Sequence, residues 1–74
     1  MSFTIIYEKI TDGSLPDGYY YVHIPTLDLT THGLGIDGAK EAAKDLIRLW
    51  IDEKKANGEV VPTEDETLIS KIEI

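Results

Sequence analysis

One stretch of this 74-residue chain has helical periodicity, and the rest must arrange itself around it. Across residues 36–57, Ala39, Ala43, Leu46, Ile47 and Trp50 recur at three- and four-residue spacing, with Lys44, Asp45, Arg48, Asp52 and Lys55 on the opposite side. Leu49 and Ile51 widen the apolar stripe, and Asn57-Gly58 supplies a stop signal. At the usual rise such a helix spans about 33 Å, enough to cross a small sheet completely. One helix covers one face of a sheet, so the other face is polar, wet or paired with something else.

Elsewhere the apolar residues recur at period two. Residues 3–10 place Phe3, Ile5 and Tyr7 on one side and run into the turn signals Asp12-Gly13 and Pro16-Asp17-Gly18, which predicts a strand followed by a loop. Residues 19–24 put Tyr20, Val22 and Ile24 on one face and Tyr19, Tyr21 and His23 on the other, until Pro25 removes a ladder donor. They read as the second strand of a hairpin, with either Tyr19 or Tyr20 on the exposed side depending on register. The threonine-rich residues 29–32 make a short third strand that ends at Gly33-Leu34-Gly35. After the helix, residues 58–66 carry Pro62 and the acidic run Glu64-Asp65-Glu66. Residues 67–74 then alternate Leu68, Ser70, Ile72 and Ile74 with Ile69, Lys71 and Glu73. The expected architecture is α+β in the order β-β-β-α-β: a three-stranded antiparallel meander, one long helix on one face and a fourth, C-terminal strand. The helical crossover lets that last strand lie parallel to the third. Residues 1–74 form a single domain in this reading.

A chain of this length buries only about 60% of its unfolded surface, and a core of this size supplies roughly 3–5 kcal/mol unaided. There is no cysteine, so disulfides cannot supplement it, and that composition suits a reducing cytoplasm. Oligomerisation is the remaining common device, and a homodimer or higher homo-oligomer is expected. The N-terminus has no basic segment ahead of a long apolar run, and the longest apolar run, Tyr19 to Val22, is far too short to span a bilayer. A cytoplasmic protein without membrane association is expected.

Fourteen acidic and seven basic side chains give a formal charge of −7, which repels the phosphate backbone that nucleic-acid binders must neutralise. Direct nucleic-acid binding is therefore not expected. Residues 36–57 hold five acids and five bases, so the whole net charge lies outside the helix, with Glu59, Glu64, Asp65 and Glu66 its densest cluster. Such a distribution favours encounter with a basic partner, although a charge run is also a common way to solvate a loop.

Nothing in the chain assembles into catalytic chemistry. His23 and His32 lie on or beside strands with no glycine-flanked serine to activate, and two histidines without cysteine fall short of a zinc site. Gly33-Leu34-Gly35-Ile36-Asp37-Gly38 copies the letters of a dinucleotide fingerprint but lacks its strand-helix-strand setting. A tight turn, with Gly35 as the N-cap and Asp37 complementing the helix dipole, explains these residues better. Carboxylates such as Glu8 and Asp45 could pair around a divalent ion, as chance pairs in any acidic domain could. No catalytic residue, metal ligand or cofactor is expected, and the chain does not read as an enzyme.

The stretch Asp17-Gly18-Tyr19-Tyr20-Tyr21-Val22-His23-Ile24-Pro25-Thr26-Leu27 resembles the HicB antitoxin family. That family's pattern is Gly-Tyr, alternating aliphatics, Pro-x-Leu, a threonine-rich strand, a glycine and then an alanine that opens a helix. Gly18, Pro25, Leu27, Thr31, Gly33 and Ala39 fill those places. Leu46, Ile47 and Trp50 follow in the helix, and Gly58 and Pro62 resemble the glycine and proline after it. Asp28-Leu29 stands where the family usually has a second proline-glycine, and Gly35 and Gly38 stand where it usually has a helix capping box.

The resemblance implies a partial ribonuclease-H-like sheet and helix, in a short form without the DNA-binding domain that many members carry. It also implies that the chain neutralises HicA, a small basic RNA-cleaving toxin, by covering its active site. The expected partner-binding residues are Tyr19, Tyr21, His23, Asp28, Glu59, Glu64, Asp65 and Glu66. Two alternatives stand beside this: a carboxylate-dependent nuclease that retains ribonuclease-H-like chemistry, and an orphan domain with a structural or regulatory role.

Overall fold

The computed structural model describes residues 2–74. Three strands, β1 (Ile6–Lys9), β2 (Tyr19–Ile24) and β3 (Leu29–Leu34), form an antiparallel sheet in the order β1-β2-β3, followed by one helix, α1 (Gly35–Ala56). A 3-10 turn, Pro25–Leu27, joins β2 to β3 with its proline at the first turn, where a missing N–H costs nothing. The architecture is α+β, with the meander and the single long helix that the periodicities predict.

The register sorts the side chains onto two faces. Val22 and Ile24 are completely buried beneath the helix and form the core with Leu27, Ala39 and Ala43. Around them pack Phe3, Ile5, Tyr7, Tyr20, Leu29, Leu46, Ile47 and Trp50. The smallness of Ala39 and Ala43, one helical turn apart, lets α1 lie close to the sheet. The closest approach is at Gly33, which pairs with Tyr20 and so faces the helix. A β-carbon built there would sit 2.5 Å from the Ala39 nitrogen and 2.5 Å from the Gly38 carbonyl carbon. β3 therefore continues through Gly33 to Leu34, two residues past the expected end at His32. The glycine that reads as a strand breaker is the residue that lets the helix seat.

Two boundaries differ for reasons visible in the backbone. β1 begins at Ile6 rather than Phe3, because its ladder with β2 starts at the Ile6–His23 pair. Two more steps of that register would set Thr4 opposite Pro25, where β2 has turned away. At the helix start the N-cap is Leu34, not Gly35, and no side chain caps it. Gly35, at φ 69°, donates its N–H to the Gly18 carbonyl at 2.8 Å, tying the helix start to the β1–β2 loop.

The other helix end is closed thoroughly. Gly58 takes a left-handed conformation and donates to the Lys55 carbonyl at 3.1 Å, and Glu59 donates to the Lys54 carbonyl at 2.9 Å. This is the Schellman arrangement. Lys54 also lies 3.4 Å from the Glu59 carboxylate and 5.4 Å from the centre of the Trp50 ring.

The expected fourth strand is not present. Residues 67–74 form no strand, and Leu68, Ile69, Ile72 and Ile74 are all exposed. A strand needs a free ladder edge that it can reach. α1 delivers the chain to the end of the sheet instead, where the Glu64 carboxylate accepts the Thr4 N–H that the β2 turn leaves without a ladder partner. The chain then bends at Asp65. Alternation alone creates the capacity for a strand, not the partner.

Candidate partner-binding surface

The sheet face turned away from α1 has no covering layer among the described residues. Cross-strand pairing places Ile6, His23 and Thr30 in one row and Glu8, Tyr21 and His32 in the next, with Tyr19 and Leu34 in a third. The register thus decides which tyrosine is outward: Tyr19 and Tyr21 are on this open face, and Tyr20 is on the helix side. Tyr21 is 41% and Leu34 60% exposed, large apolar or aromatic surfaces for a domain of this size.

The face is organised by short contacts. The Tyr19 and His32 rings lie diagonally across β2 and β3 with centroids 6.2 Å apart and a 49° tilt, within the range for edge-on aromatic pairs. The Tyr21 hydroxyl is 3.2 Å from Ser14 Oγ, which brings the β1–β2 loop against the face. That loop is itself held by an Asx turn, in which the Ser14 N–H donates to Asp12 Oδ1 at 2.9 Å. The hydrogen bonds from Ser14 hold the Asp12 carboxyl below the usual aspartate range.

At the other end of the face, Asp28 Oδ1 lies 4.0 Å from His23 Nε2. Asp28 has φ 52° and ψ 44°, a left-handed conformation that aspartate tolerates better than most residues, and its N–H donates to the Pro25 carbonyl at 3.2 Å. It occupies the loop in which the HicB pattern usually has proline-glycine, and it points a charge to the rim of the open face.

The four expected acidic residues beyond the helix do not form one cluster. Glu59 is held by Lys54 at the helix end. Glu64 is half-buried and binds inward: its carboxylate accepts from the Thr4 N–H, from Thr26 Oγ1 at 2.8 Å and from Thr67 Oγ1 at 3.2 Å. Asp65 and Glu66 remain exposed. Glu64 therefore anchors the segment after the helix to the sheet end. Burial pushes its carboxyl up, and the bonds from Thr26, Thr4 and Thr67 outweigh this and hold it below the ordinary glutamate range.

A pH prediction follows from that direction. A depressed folded-state pKa contributes stability above the ordinary glutamate value, and the contribution disappears as the pH falls through the lowered folded value. The Thr4 amide resonance is expected to shift across that acid window and to stay flat in Glu64→Gln. An amide resonance that ignores the titration in the unaltered chain would contradict the anchor.

The sequence supplied Tyr19, Tyr21 and His23 by alternation within one strand. It missed Ile6, Glu8, Thr30, His32 and Leu34 as members of the same face. The alternation in β1 and β3 carried that signal, but only strand pairing assigns its phase. The sheet also separates Glu8, on the open face, from Asp45, exposed on α1, so these two carboxylates do not share an ion. Among the described residues no group of three or more His, Cys, Asp or Glu side chains converges on a point that could hold a metal. No helix among them is long and apolar enough to cross a membrane.

No protein-family model matches the chain, and neither a curated protein nor a solved structure matches it.

Proposed function

We propose that this chain is an antitoxin-type binding module of the cytoplasm, which receives a small basic RNA-cleaving protein on its open sheet face and covers that protein's active site. The observation that carries this reading is the open face itself, where two tyrosines, two histidines and an exposed leucine lie in adjacent rows. Tyrosine-rich, rigid, partly apolar patches are the composition of protein interfaces, and two-torsion aromatic side chains lose little entropy when covered. The resemblance to the HicB pattern points the same way.

Electrostatics support a basic partner. The helix carries five acids and five bases, and the remaining residues hold nine acids against Lys9 and Lys71. The face covered by α1 is thus balanced, and the acidic potential belongs to the sheet, its loops and the segment after the helix. Glu8 and Asp28 stand on or at the rim of the open face, with Asp65 and Glu66 exposed beyond the sheet end.

Neutralising Glu8, Asp28, Asp65 and Glu66 together as Gln or Asn is expected to slow association with the partner about tenfold or more at low salt. The effect should vanish at high salt, because exposed charges act through steering within a Debye length of about 10 Å. Neutralising four acids of α1, Glu41, Asp45, Asp52 and Glu53, should change the rate far less. A binding-rate measurement with the opposite ranking would place the partner on the helix and overturn the assignment of the face.

A further inference from the structure

The helix side of the molecule has a feature that the open-face reading does not use. Between α1 and the segment that precedes β1 lies a groove of about 420 Å³. Phe3, Ile5, Ala43, Ile47 and Ile51 make its apolar walls. Every charged residue along it is basic: Lys40, Lys44, Arg48 and Lys55. In a chain of net charge −7 this is a local inversion of sign. Lys44 is partly compensated by Glu41 at 3.6 Å, whereas Lys40, Arg48 and Lys55 have no carboxylate within ion-pairing distance among the described residues.

The occupant of such a groove must be apolar along its length and acidic at its edges. The same chain contains one segment of that character with nothing bound to it. Leu68, Ile69, Ile72 and Ile74 are 85%, 58%, 83% and 114% exposed, and the eleven residues from Glu64 to Ile74 hold four acids against Lys71. Their own copy does not place them in the groove. The Thr67 hydroxyl folds back onto the Glu64 carboxylate across the bend at Asp65, and the segment beyond it leaves with its aliphatic side chains in water.

We propose that residues 67–74 of a second copy of this chain fill the groove, in a reciprocal exchange that makes a two-fold dimer. Both halves of the contact are present on every molecule, which is the requirement for a closed, self-complementary interface. Aliphatic side chains from the segment cover Phe3, Ile5 and Ile47, while Glu66 and Glu73 meet the basic rim. The exchange buries two surfaces at once that a small core can ill leave exposed. It involves no foreign partner and is read from the chain's own oligomeric state, so it is tested separately from the binding activity proposed above; Glu66 alone serves in both, and the open sheet face stays free for that activity.

Charge exchange between two full-length variants tests it. Lys44→Glu with Arg48→Glu reverses the charge at the middle of the groove rim, and Glu66→Lys with Glu73→Lys reverses that of the segment. All four positions are exposed, so neither change threatens the core. Light scattering across a concentration series is expected to show a dimer for the unaltered chain and dimerisation weakened about tenfold or more for each variant alone. An equimolar mixture of the two variants should regain a heterodimer, because both of its exchanges then pair opposite charges. A third full-length variant, Leu68→Asp with Ile72→Asp, should be monomeric with unchanged circular dichroism. A monomer at high micromolar concentration for the unaltered chain would overturn the proposal. So would a dimer indifferent to these substitutions, or a mixture that stays monomeric.

Discussion

Replacing Gly33 with alanine is expected to leave most of the protein unfolded at room temperature. The added methyl group would need to occupy a point 2.5 Å from two backbone atoms of the first helical turn and 2.6 Å from the Gly38 oxygen. Side chains can rotate away from such a clash; backbone cannot. α1 must therefore lift off β3, and the contacts of Ala39 and Ala43 with the sheet loosen with it. Overpacking of this kind costs typically up to about 3 kcal/mol, and more where the neighbours are rigid. A core of this size supplies roughly 3–5 kcal/mol in total, so against rigid backbone that single methyl removes the whole margin. Urea titration followed by circular dichroism checks it: the Gly33→Ala midpoint should fall to near zero denaturant. Gly13→Ala is the informative contrast. Unlike Gly33 it sits at positive φ, but a β-carbon there meets nothing within 4 Å, so its cost is limited to backbone strain of about 1–2 kcal/mol. Equal effects at the two positions would show that helix seating is not the reason for glycine at 33.

Tyr21→Ala is expected to produce the largest loss of partner affinity of any single substitution on the open face. Tyr21 lies in the central row of the face between Glu8 and His32, the residue 41% exposed and its hydroxyl 3.2 Å from Ser14 Oγ. A rigid aromatic side chain at the centre of an interface is where binding energy concentrates, and truncating one costs about 2 kcal/mol or more, roughly a thirtyfold loss of affinity. The fold should tolerate the change, since the residue points away from Val22, Ile24 and the helix. Tyr20→Ala supplies the opposite pattern. That ring packs against the core on the helix side, so its removal should lower stability first and affinity only through unfolding. Calorimetric titration paired with thermal melts separates the two outcomes. An affinity untouched by Tyr21→Ala, in a chain that still folds, would move the binding site off the sheet.

Much of this architecture is legible in the residues because its signals are local. The stripe Ala39, Ala43, Leu46, Ile47 and Trp50 places the helix within one residue at each end, and Gly58 marks its stop. The alternation in residues 19–24 separates the core side from the open side of β2. What local signals cannot supply is the partner of each segment. The β1 ladder is shorter than its pattern because Pro25 takes β2 away, a fact recorded 19 residues after Ile6. β3 is longer than its pattern because Gly33 answers to a helix that has not yet begun. Residues 67–74 alternate as a strand does, yet no ladder edge receives them in one copy.

The acidic residues show the same division. Glu64, Asp65 and Glu66 look equivalent as a run, but Glu64 alone meets partners 60 and 38 residues earlier, Thr4 and Thr26. Its neighbours stay in solvent. Sequence spacing carries no trace of that difference, because the anchor exists only once the helix has returned the chain to the sheet end. The open face was half visible for a related reason: alternation within β2 gives its three members, and register is needed to add those of β1 and β3.

The central claim, that this chain acts by occupying another protein, is tested most directly by titrating it into an RNA-cleavage assay. The enzyme in that assay is the proposed partner, a small basic RNA-cleaving protein, free of the chain. Cleavage is predicted to fall linearly with added chain and to stop near one equivalent, with Tyr21→Ala requiring a large excess and Tyr19, His23 and His32 variants falling between. Undiminished cleavage at saturating chain would contradict the account, as would Mg²⁺-dependent cleavage of RNA by the chain alone.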